Sequence, residues 1–371
     1  MKSISLSLVC LLIGVAVFSG CEKTEEEEEG TITVDKFLNT EPNVYLAGRH
    51  YPENDISIAK QWKKGGSRNL TDGTYTAWAN SVFVSGSDVY VVGSETTSKE
   101  QNKGRLNAKL WKNGVAQTLI KDDWDLFDTM ANSVCVSGND VYVVGVLNTD
   151  DIRYYYAMLW KNGEIQFVDK DGQEPDSEKF PWGYAARANS IYVSGNDAYV
   201  AGYGKDIVPT GPWGNNGVAI LWKNGEAQYL TDASRSSMAN SVYVSGDDVY
   251  VAGCDGDVAT VWKNGKAQPL ADGTNAHSVF VLGSDVYVAG QKISQDISVA
   301  KLWKNGTEQN LDIENMETTL ASSVFVSGND VYVLGGGSRT FSSGYQSRLW
   351  KNGELFTFPS YESVEGIFVV D

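Results

Sequence analysis

The chain has 371 residues, of which 42% are hydrophobic, and it carries a formal net charge of −17. This acidic balance argues against nucleic acid as a partner, because binding to nucleic acid depends on cationic neutralisation of phosphates. The only two histidines, His50 and His277, are too few for a histidine metal cluster and leave few places for a Ser-His-Asp triad.

The first twenty residues have the layout of a secretion signal. Lys2 precedes an apolar run from Leu6 to Phe18, which is too short to be a permanent transmembrane helix. The sequence Phe-Ser-Gly-Cys that ends at Cys21 resembles a bacterial lipobox, in which the cysteine is lipidated. We therefore expect residues 1–20 to be a lipoprotein signal peptide and Cys21 to carry the lipid anchor.

An acidic segment follows the cysteine. Glu22-Lys23-Thr24 and the run Glu25 to Glu29 resemble the export signal that sends Bacteroidota lipoproteins to the outer face of the outer membrane. A simpler interpretation is that the glutamates repel one another and form an extended, solvated tether. Both interpretations predict a tether over residues 21–35. The lipobox and the export signal together predict an outer-membrane protein, exposed at the cell surface, that touches the membrane only through its lipid anchor.

One sequence unit then recurs along the chain. It reads ANSVxVSGxDVYVxG, followed by LWKNG and a short strand, and its copies begin at Ala79, Ala131, Ala188, Ala239, Ala276 and Ala321. A sequence unit that recurs in this way along the chain predicts a repeat architecture.

Each copy predicts four strands, as in residues 81–84, 88–93, 108–111 and 116–119. The Gly-Ser and Asn-Gly pairs between them are signals for two-residue hairpin turns. The second strand is apolar on both faces, which requires a sheet packed on both sides. A ring of four-stranded blades provides that packing.

The two ends of the chain supply a seventh copy. Residues 366–370 match the first strand of the unit, and residues 43–48, 58–62 and 67–71 match the other three. Seven repeat tryptophans count the blades independently: Trp62, Trp111, Trp160, Trp222, Trp262, Trp303 and Trp350. The sequence predicts an all-β, monomeric, seven-bladed β-propeller over residues 36–371, closed by the C-terminal strand. The pattern resembles propeller-type surface lipoproteins of Bacteroidota, a resemblance that implies the architecture and specifies no activity.

Antiparallel order separates two kinds of connection. The first-to-second and third-to-fourth turns are short and uniform and belong to one face of the ring. The second-to-third and blade-to-blade connections emerge on the other face. They range from short connections, such as residues 253–259, to long ones, such as residues 202–219. Variable loops on a rigid scaffold predict that binding occurs on this second face.

Aromatic residues are dense in these variable connections. Four tryptophans lie outside the repeat set, and several tyrosines join them; the candidate ligand-binding residues are Trp78, Trp124, Trp182, Tyr184, Tyr203 and Trp213. Flat aromatic faces beside loop carboxylates suit a sugar ring or a protein hot spot. The alternative is that these rings pack under their own loops as small satellite cores.

A second candidate site lies at the start of the innermost strand. One equivalent position carries Asn80, Asn132, Asn189, Asn240, His277, Ser322 and Glu365. These side chains would surround the axial opening, where they would bind a polar ligand or an ion. The structural alternative is that each asparagine caps a neighbouring backbone group. His277 and Glu365 break the pattern and are included among the candidate ligand-binding residues.

Other chemistry-bearing residues give weaker signals. Asp169, Asp171 and Glu174 resemble part of a calcium loop but lack the third alternating ligand and the distal glutamate of an EF-hand, so an ordinary acidic turn is favoured. No other cofactor is expected. Cys135 stands where other copies carry Phe or Tyr, which predicts a core residue, and no spacing predicts a disulfide or a zinc site.

The sequence thus favours a non-catalytic binding module for a glycan or a protein. One alternative is a polysaccharide hydrolase using paired carboxylates, or a lyase using His277 with Tyr184, acting at the axial opening. The other alternative is a structural subunit of an outer-membrane complex.

Overall fold

A computed structural model describes residues 34–41, 43–52, 56–98, 104–120, 128–148, 155–167, 185–205, 217–295, 297–313, 316–338 and 345–370. All of them belong to one compact unit, residues 32–371. The predicted signal peptide and most of the predicted tether, with Cys21, lie outside the described residues.

The described residues form one short helix, α1 (Val34–Thr40), and 28 strands. The first fifteen strands are β1 (Val44–His50), β2 (Ile58–Lys63), β3 (Gly66–Asn69), β4 (Ala77–Ser85), β5 (Asp88–Thr96), β6 (Leu106–Lys112), β7 (Val115–Thr118), β8 (Asp128–Ser137), β9 (Asp140–Asn148), β10 (Tyr155–Lys161), β11 (Glu164–Phe167), β12 (Ala185–Ser194), β13 (Asp197–Lys205), β14 (Val218–Lys223) and β15 (Glu226–Tyr229). The remaining strands are β16 (Ser237–Ser245), β17 (Asp248–Asp255), β18 (Val258–Lys263), β19 (Lys266–Pro269), β20 (Asn275–Leu282), β21 (Asp285–Ser294), β22 (Ile297–Lys304), β23 (Thr307–Gln309), β24 (Thr318–Ser327), β25 (Asp330–Ser338), β26 (Gln346–Lys351), β27 (Glu354–Thr357) and β28 (Glu362–Val369).

The strands form seven four-stranded antiparallel blades, which confirms the predicted fold. Blade 1 has the order β28-β1-β2-β3, and Leu46 pairs with Ile367 across its closing strand pair. Blades 2 to 7 each take four consecutive strands, beginning at β4, β8, β12, β16, β20 and β24. Blades 3 and 4 also share one parallel bridge, between Tyr155 and Ala185. The innermost strands contact one another in sequence, and β28 contacts both β24 and β4, so the ring is closed.

The core lies between the blades. Each repeat tryptophan is buried and packs against the preceding blade, as Trp262 of blade 5 packs with Tyr199 and Ala201 of blade 4. This confirms that the tryptophan set serves packing. Removing such a side chain typically destabilises a protein by about 3–5 kcal/mol.

A polar cluster closes the turns of six blades on one face. In blade 2, Asn113 (φ 52) and Gly114 (φ 81) form the two-residue turn with the positive φ angles of type I′. Asp88 accepts a 2.8 Å hydrogen bond from Asn113 Nδ2 and forms a 2.8 Å ion pair with Lys112 Nζ. The same lysine nitrogen lies 5.1 Å from the centre of the Tyr90 ring. The hydrogen bonds from Lys112 and Asn113 hold the pKa of Asp88 below its ordinary value. The same Asp–Tyr–Lys–Asn set recurs at 140/142/161/162, 197/199/223/224, 248/250/263/264, 285/287/304/305 and 330/332/351/352.

We call the face that carries these turns and the Gly86–Ser87 type of turn the tight-turn face. The opposite face carries the second-to-third and blade-to-blade connections, such as those that follow β1 and β27, and we call it the variable face. Strand β1 runs from the tight-turn face at Val44 to the variable face at His50, and β28 begins on the variable face at Glu362.

The innermost strands begin earlier than the sequence predicted. In blade 2, β4 starts at Ala77, whereas the sequence predicted a start at residue 81. The predicted start was too late because a β-bulge at Asn80 interrupts the alternation of apolar residues that indicates a strand. The bulge directs the Trp78 carbonyl at Gly93, where a Cβ atom would lie only 2.0 Å from that oxygen. The equivalent clash exists in every blade, which explains the glycine that ends the second-strand motif.

Helix α1 was not expected, because residues 34–40 lie outside the repeats. Phe37 and Leu38 are buried, and the Phe37 ring lies 4.9 Å from the Phe356 ring of blade 7. The following residue, Glu41, accepts 2.5 Å and 2.8 Å hydrogen bonds from Lys351 Nζ and the Tyr332 hydroxyl. The chain therefore joins the ring at the tight-turn face, between blades 7 and 1.

Candidate functional site

The asparagines at the bulges join neighbouring blades. Asn80 Nδ2 donates to the backbone oxygen of Ala131 at 2.8 Å, and Asn132 donates in the same way to Ala188 at 2.9 Å. Asn189 and Asn240 repeat the contact with the carbonyls of Ala239 and Ala276, at 3.0 Å and 2.9 Å. This confirms the structural interpretation of the four asparagines. The amides are already used by the fold.

The serines that follow Asn132, Asn189, Asn240 and His277 make the reciprocal contact. Ser241 Oγ accepts the backbone N–H of Val279 at 3.2 Å, and Ser278 Oγ accepts that of Val324 at 3.1 Å. The innermost strand of each blade is an edge strand, and such edges need partners for their free backbone groups. The Asn-Ser pair supplies these partners through side chains.

His277 ends the series of asparagines. Its ring is half-buried, and its Nε2 atom is inaccessible and has no hydrogen-bond partner. Burial lowers the pKa of His277, partly offset by a hydrogen bond with Gln291. His277 and Glu365 are separated by blade 7, so the two candidates do not adjoin along the ring.

Glu365 lies in a different environment at the bulge of β28. Its Oε1 atom accepts a 2.7 Å hydrogen bond from Ser363 Oγ and lies 3.6 Å from Arg49 Nη2. The Arg49 guanidinium stacks over the Tyr51 ring at 5.2 Å. Glu365 therefore belongs to a cluster on blade 1, where the two ends of the chain meet.

Exposed tyrosines surround this cluster on the variable face. Tyr51, Tyr345 and Tyr361 are 41%, 47% and 38% exposed, high values for large side chains of this protein. Tyr361 contacts the His50 ring edge-on at 5.6 Å, and its backbone oxygen accepts a 2.7 Å hydrogen bond from the Tyr51 backbone N–H.

Charge couples the third tyrosine to the same cluster. Tyr345 as a whole is exposed, but its hydroxyl end lies over Gly336. Burial of this end, together with the Glu365 carboxylate, raises the pKa of Tyr345. Burial and Glu365 also raise the pKa of Tyr51, against the opposing charge of Arg49. We call this group the junction patch, and it consists of Arg49, His50, Tyr51, Tyr345, Tyr361 and Glu365.

The other candidate residues are distributed differently. Trp78 is half-buried in β4, next to the bulge of blade 2, and Tyr203 is half-buried in β13 and packs near Gly217. Arg187, which was not predicted, stacks over the Tyr155 ring at 4.8 Å and lies in blade 4 at the position that Trp78 occupies in blade 2. The predicted residues Trp124, Trp182, Tyr184 and Trp213 lie outside the described residues, as do Asp169, Asp171 and Glu174.

The described part of the chain also bears on metal binding and membrane insertion. Its His, Cys, Asp and Glu side chains nowhere come together in threes in an arrangement that would bind a metal ion. No helix among these residues has the length and hydropathy of a membrane span. Cys135 is buried in the core, as predicted, and burial raises the pKa of its thiol to about 11.

Sequence reasoning missed most of the junction patch. Arg49 lies near the end of β1, and Tyr51, Tyr345 and Tyr361 lie in three separate connections. Blade 1 is itself assembled from both ends of the chain. The available signal was the departure of residue 365 from asparagine, which the sequence analysis did identify.

Comparisons with known proteins concern the fold. No protein-family model matches the sequence, and no curated protein matches it. A structure from a structural and mechanistic analysis of two prolyl endopeptidases aligns with a TM-score of 0.51 and 12% identity, over 89% of this chain and 49% of that chain. The acylaminoacyl peptidase of Pyrococcus horikoshii aligns with a TM-score of 0.46 and 12% identity, over 88% and 53% of the two chains. The β-propeller domain of the Trilobed protease from Pyrococcus furiosus aligns with a TM-score of 0.36 and 11% identity, over 76% of this chain and 97% of that chain.

This chain therefore spans about half the length of the first two proteins. At these identities the likeness supports the propeller fold alone.

Proposed function

We propose that the protein is a cell-surface lipoprotein that binds a glycan on the variable face without transforming it. The observation that carries the proposal is the junction patch, in which three exposed tyrosines surround the Arg49–Glu365 ion pair. Aromatic faces pack against the apolar faces of sugar rings, and charged groups form hydrogen bonds with their hydroxyls.

The charged pair remains accessible to a ligand. The side chains of Arg49 and Glu365 are 32% and 36% exposed, and their closest atoms are 3.6 Å apart. An exposed pair of this kind adds little to stability, so its replacement by contacts to a ligand costs little. Ser363 and the Tyr51 ring hold the two groups in place.

The path of the chain supports an outward-facing patch. Glu41 joins the ring at the tight-turn face, whereas Tyr51 and Tyr361 lie on the variable face. A lipid anchor at Cys21, followed by the acidic tether, would leave the junction patch on the face farther from the membrane.

The catalytic alternative gains no support from the described part of this region. Glycoside hydrolysis needs two carboxylates with separate roles. The carboxylates of β28 are both engaged: Glu362 with Lys60 at 2.7 Å, and Glu365 with Arg49 and Ser363.

The test is equilibrium binding to a panel of polysaccharides and oligosaccharides, with Tyr345→Ala and Tyr361→Ala as variants. Tyr229→Ala is the control, because Tyr229 is 51% exposed but lies on the outer strand of blade 4. We expect saturable binding that is at least about tenfold weaker in the patch variants and unchanged in the control.

If a protein is captured from a surface extract and no glycan binds, the ligand in this proposal is a protein rather than a glycan. Binding that is indifferent to both tyrosines would contradict the use of the junction patch. Release of sugar products during the assay would favour the hydrolase alternative.

A further inference from the structure

Blade 1 departs from the repeat at the tight-turn face. The other six blades pair the turn lysine with an aspartate at the start of the second strand, as Lys112 pairs with Asp88. In blade 1 the equivalent lysine is Lys63, and the aspartate is replaced by Asn43, two residues before Tyr45. The turn itself reads Lys64-Gly65 in place of Asn-Gly, which adds a second cation.

A third cation lies on the neighbouring strand. In blades 2 and 4, Gln117 and Gln228 lie against the turn of the next blade, at Gly163 and Gly265. Arg68 takes this position in blade 1, packs against Gly114 and donates from Nη1 to the backbone oxygen of Asn113. Relative to its sister blades, blade 1 thus loses one negative charge and gains two positive charges at this point.

These cations line a cavity. A pocket of about 320 Å³ opens between blades 1 and 2, with Lys63, Lys64 and Arg68 on one side and Ser87 and Asn113 on the other. All three basic side chains are exposed. Neither Lys63 nor Lys64 forms an ion pair with a described residue. Asp88, the nearby acid of blade 2, is already neutralised by Lys112.

We propose that this pocket binds a phosphate-type oxyanion. Three cations, none of them paired with an acid among the described residues, form a site for a tetrahedral phosphate-type anion in a protein of net charge −17. Ser87 and Asn113 add neutral polar groups on the opposite wall. The pocket is distinct from the junction patch, which lies on the variable face.

The anion has two sources. It is either a free phosphate or the phosphate of a lipid headgroup, since the chain joins the ring on this same face at Glu41. Both sources present the same chemistry to Lys63, Lys64 and Arg68.

The sharpest variant is Asn43→Asp, which gives blade 1 the acid that the other blades have and removes no cation. We expect it to pair with Lys63 and to weaken the binding of inorganic phosphate about tenfold, by analogy with the loss of one charge-assisted hydrogen bond. Lys63→Gln/Lys64→Gln should abolish the binding. Lys266→Gln, which removes an exposed cation of blade 5 next to an equivalent turn, is the control and should leave it unchanged.

The experiment is a calorimetric titration of the full chain with inorganic phosphate at low ionic strength, with the melting temperature of each variant as a check of folding. A second arm measures co-sedimentation with vesicles of phosphatidylglycerol in phosphatidylcholine. Because all variants carry the same N-terminal segment, their differences report on the pocket.

Phosphate binding that Asn43→Asp weakens supports the proposal with a free anion as ligand. Vesicle binding that Asn43→Asp weakens, without phosphate binding, supports it with a lipid phosphate. Binding that is absent in both arms, or that Asn43→Asp and the double lysine variant leave unchanged, would overturn it.

Discussion

Asn132 and Ala188 belong to adjacent blades, and a 2.9 Å hydrogen bond from Asn132 Nδ2 to the Ala188 carbonyl joins them at the axial opening. Replacing Asn132 with alanine leaves that carbonyl without its side-chain partner. We expect Asn132→Ala to lower the free energy of unfolding by about 1 kcal/mol, measured by denaturant titration. Asn139→Ala, in an exposed turn, should change it by no more than about 0.5 kcal/mol. Equal effects of the two substitutions would mean that the bridge contributes nothing.

His277→Asn should stabilise the protein. The repeat residue at this position donates to the next blade, and the substitution would extend the bridges from Ala276 to the carbonyl of Ala321. It also removes the buried Nε2 atom that has no partner. We expect a gain of about 1 kcal/mol in the same titration. A loss of stability would show that the histidine ring fills space that an amide cannot.

The same substitution should change the pH dependence of stability. The folded-state pKa of His277 lies below its ordinary value of 6.5, so the unfolded chain binds this proton more readily. The stabilisation is complete above pH 6.5 and is lost as the pH falls from there through the lowered pKa. Melting temperatures between pH 8 and pH 5 should therefore fall less in His277→Asn than in the original protein. His50, whose pKa is also lowered by burial, contributes to the dependence that remains.

Gly145→Ala should be severely destabilising because of a steric clash. A Cβ atom at Gly145 would lie 1.8 Å from the Met130 carbonyl oxygen, which is held there by the bulge at Asn132. We expect a loss above about 2 kcal/mol. Gly353→Ala is the matched control, because its φ of 85° imposes backbone strain while the nearest atom stays 3.7 Å away. That control should cost only about 1 kcal/mol, and a similar cost at both sites would contradict the clash.

Glu41→Gln should loosen the junction between blades 7 and 1. The carboxylate accepts hydrogen bonds from Lys351 and Tyr332, and the side chains of Glu41 and Lys351 are both mostly buried. Contacts of this kind contribute roughly 1.5–3 kcal/mol, which we expect to be partly lost in thermal denaturation. The pKa of Tyr332, now raised to about 12 by burial and by Glu41, should fall in a spectrophotometric titration. Glu354→Gln, an exposed acid of the neighbouring strand, should leave both measurements unchanged.

The sequence was sufficient for the architecture because each blade repeats the same physical requirements. Trp262 and its equivalents fill the space between blades, and Asn113-Gly114 takes the type I′ conformation that a two-residue hairpin favours. The pairing of Leu46 with Ile367 followed from matching the two ends of the chain to one unit. These features depend on local pattern, which a single sequence displays.

The candidate site was harder to predict because its parts are not neighbours in the chain. Tyr345 and Arg49 adjoin Glu365 only after the ring has closed, so no spacing reports the junction patch. The strand start at Ala77 was missed because the bulge at Asn80 disrupts the alternation used to find strands. Helix α1 was missed because it has no copy elsewhere in the chain.

The closing strand has a consequence for biogenesis. Because β28 follows every other strand in the chain, β1 cannot obtain its inner partner until the ribosome has made the whole propeller. Until then the nascent chain exposes the unpaired inner edge of β1, and exposed strand edges are prone to aggregation. A stop codon that removed only β28 would therefore leave a product that invites proteolysis rather than a smaller working protein.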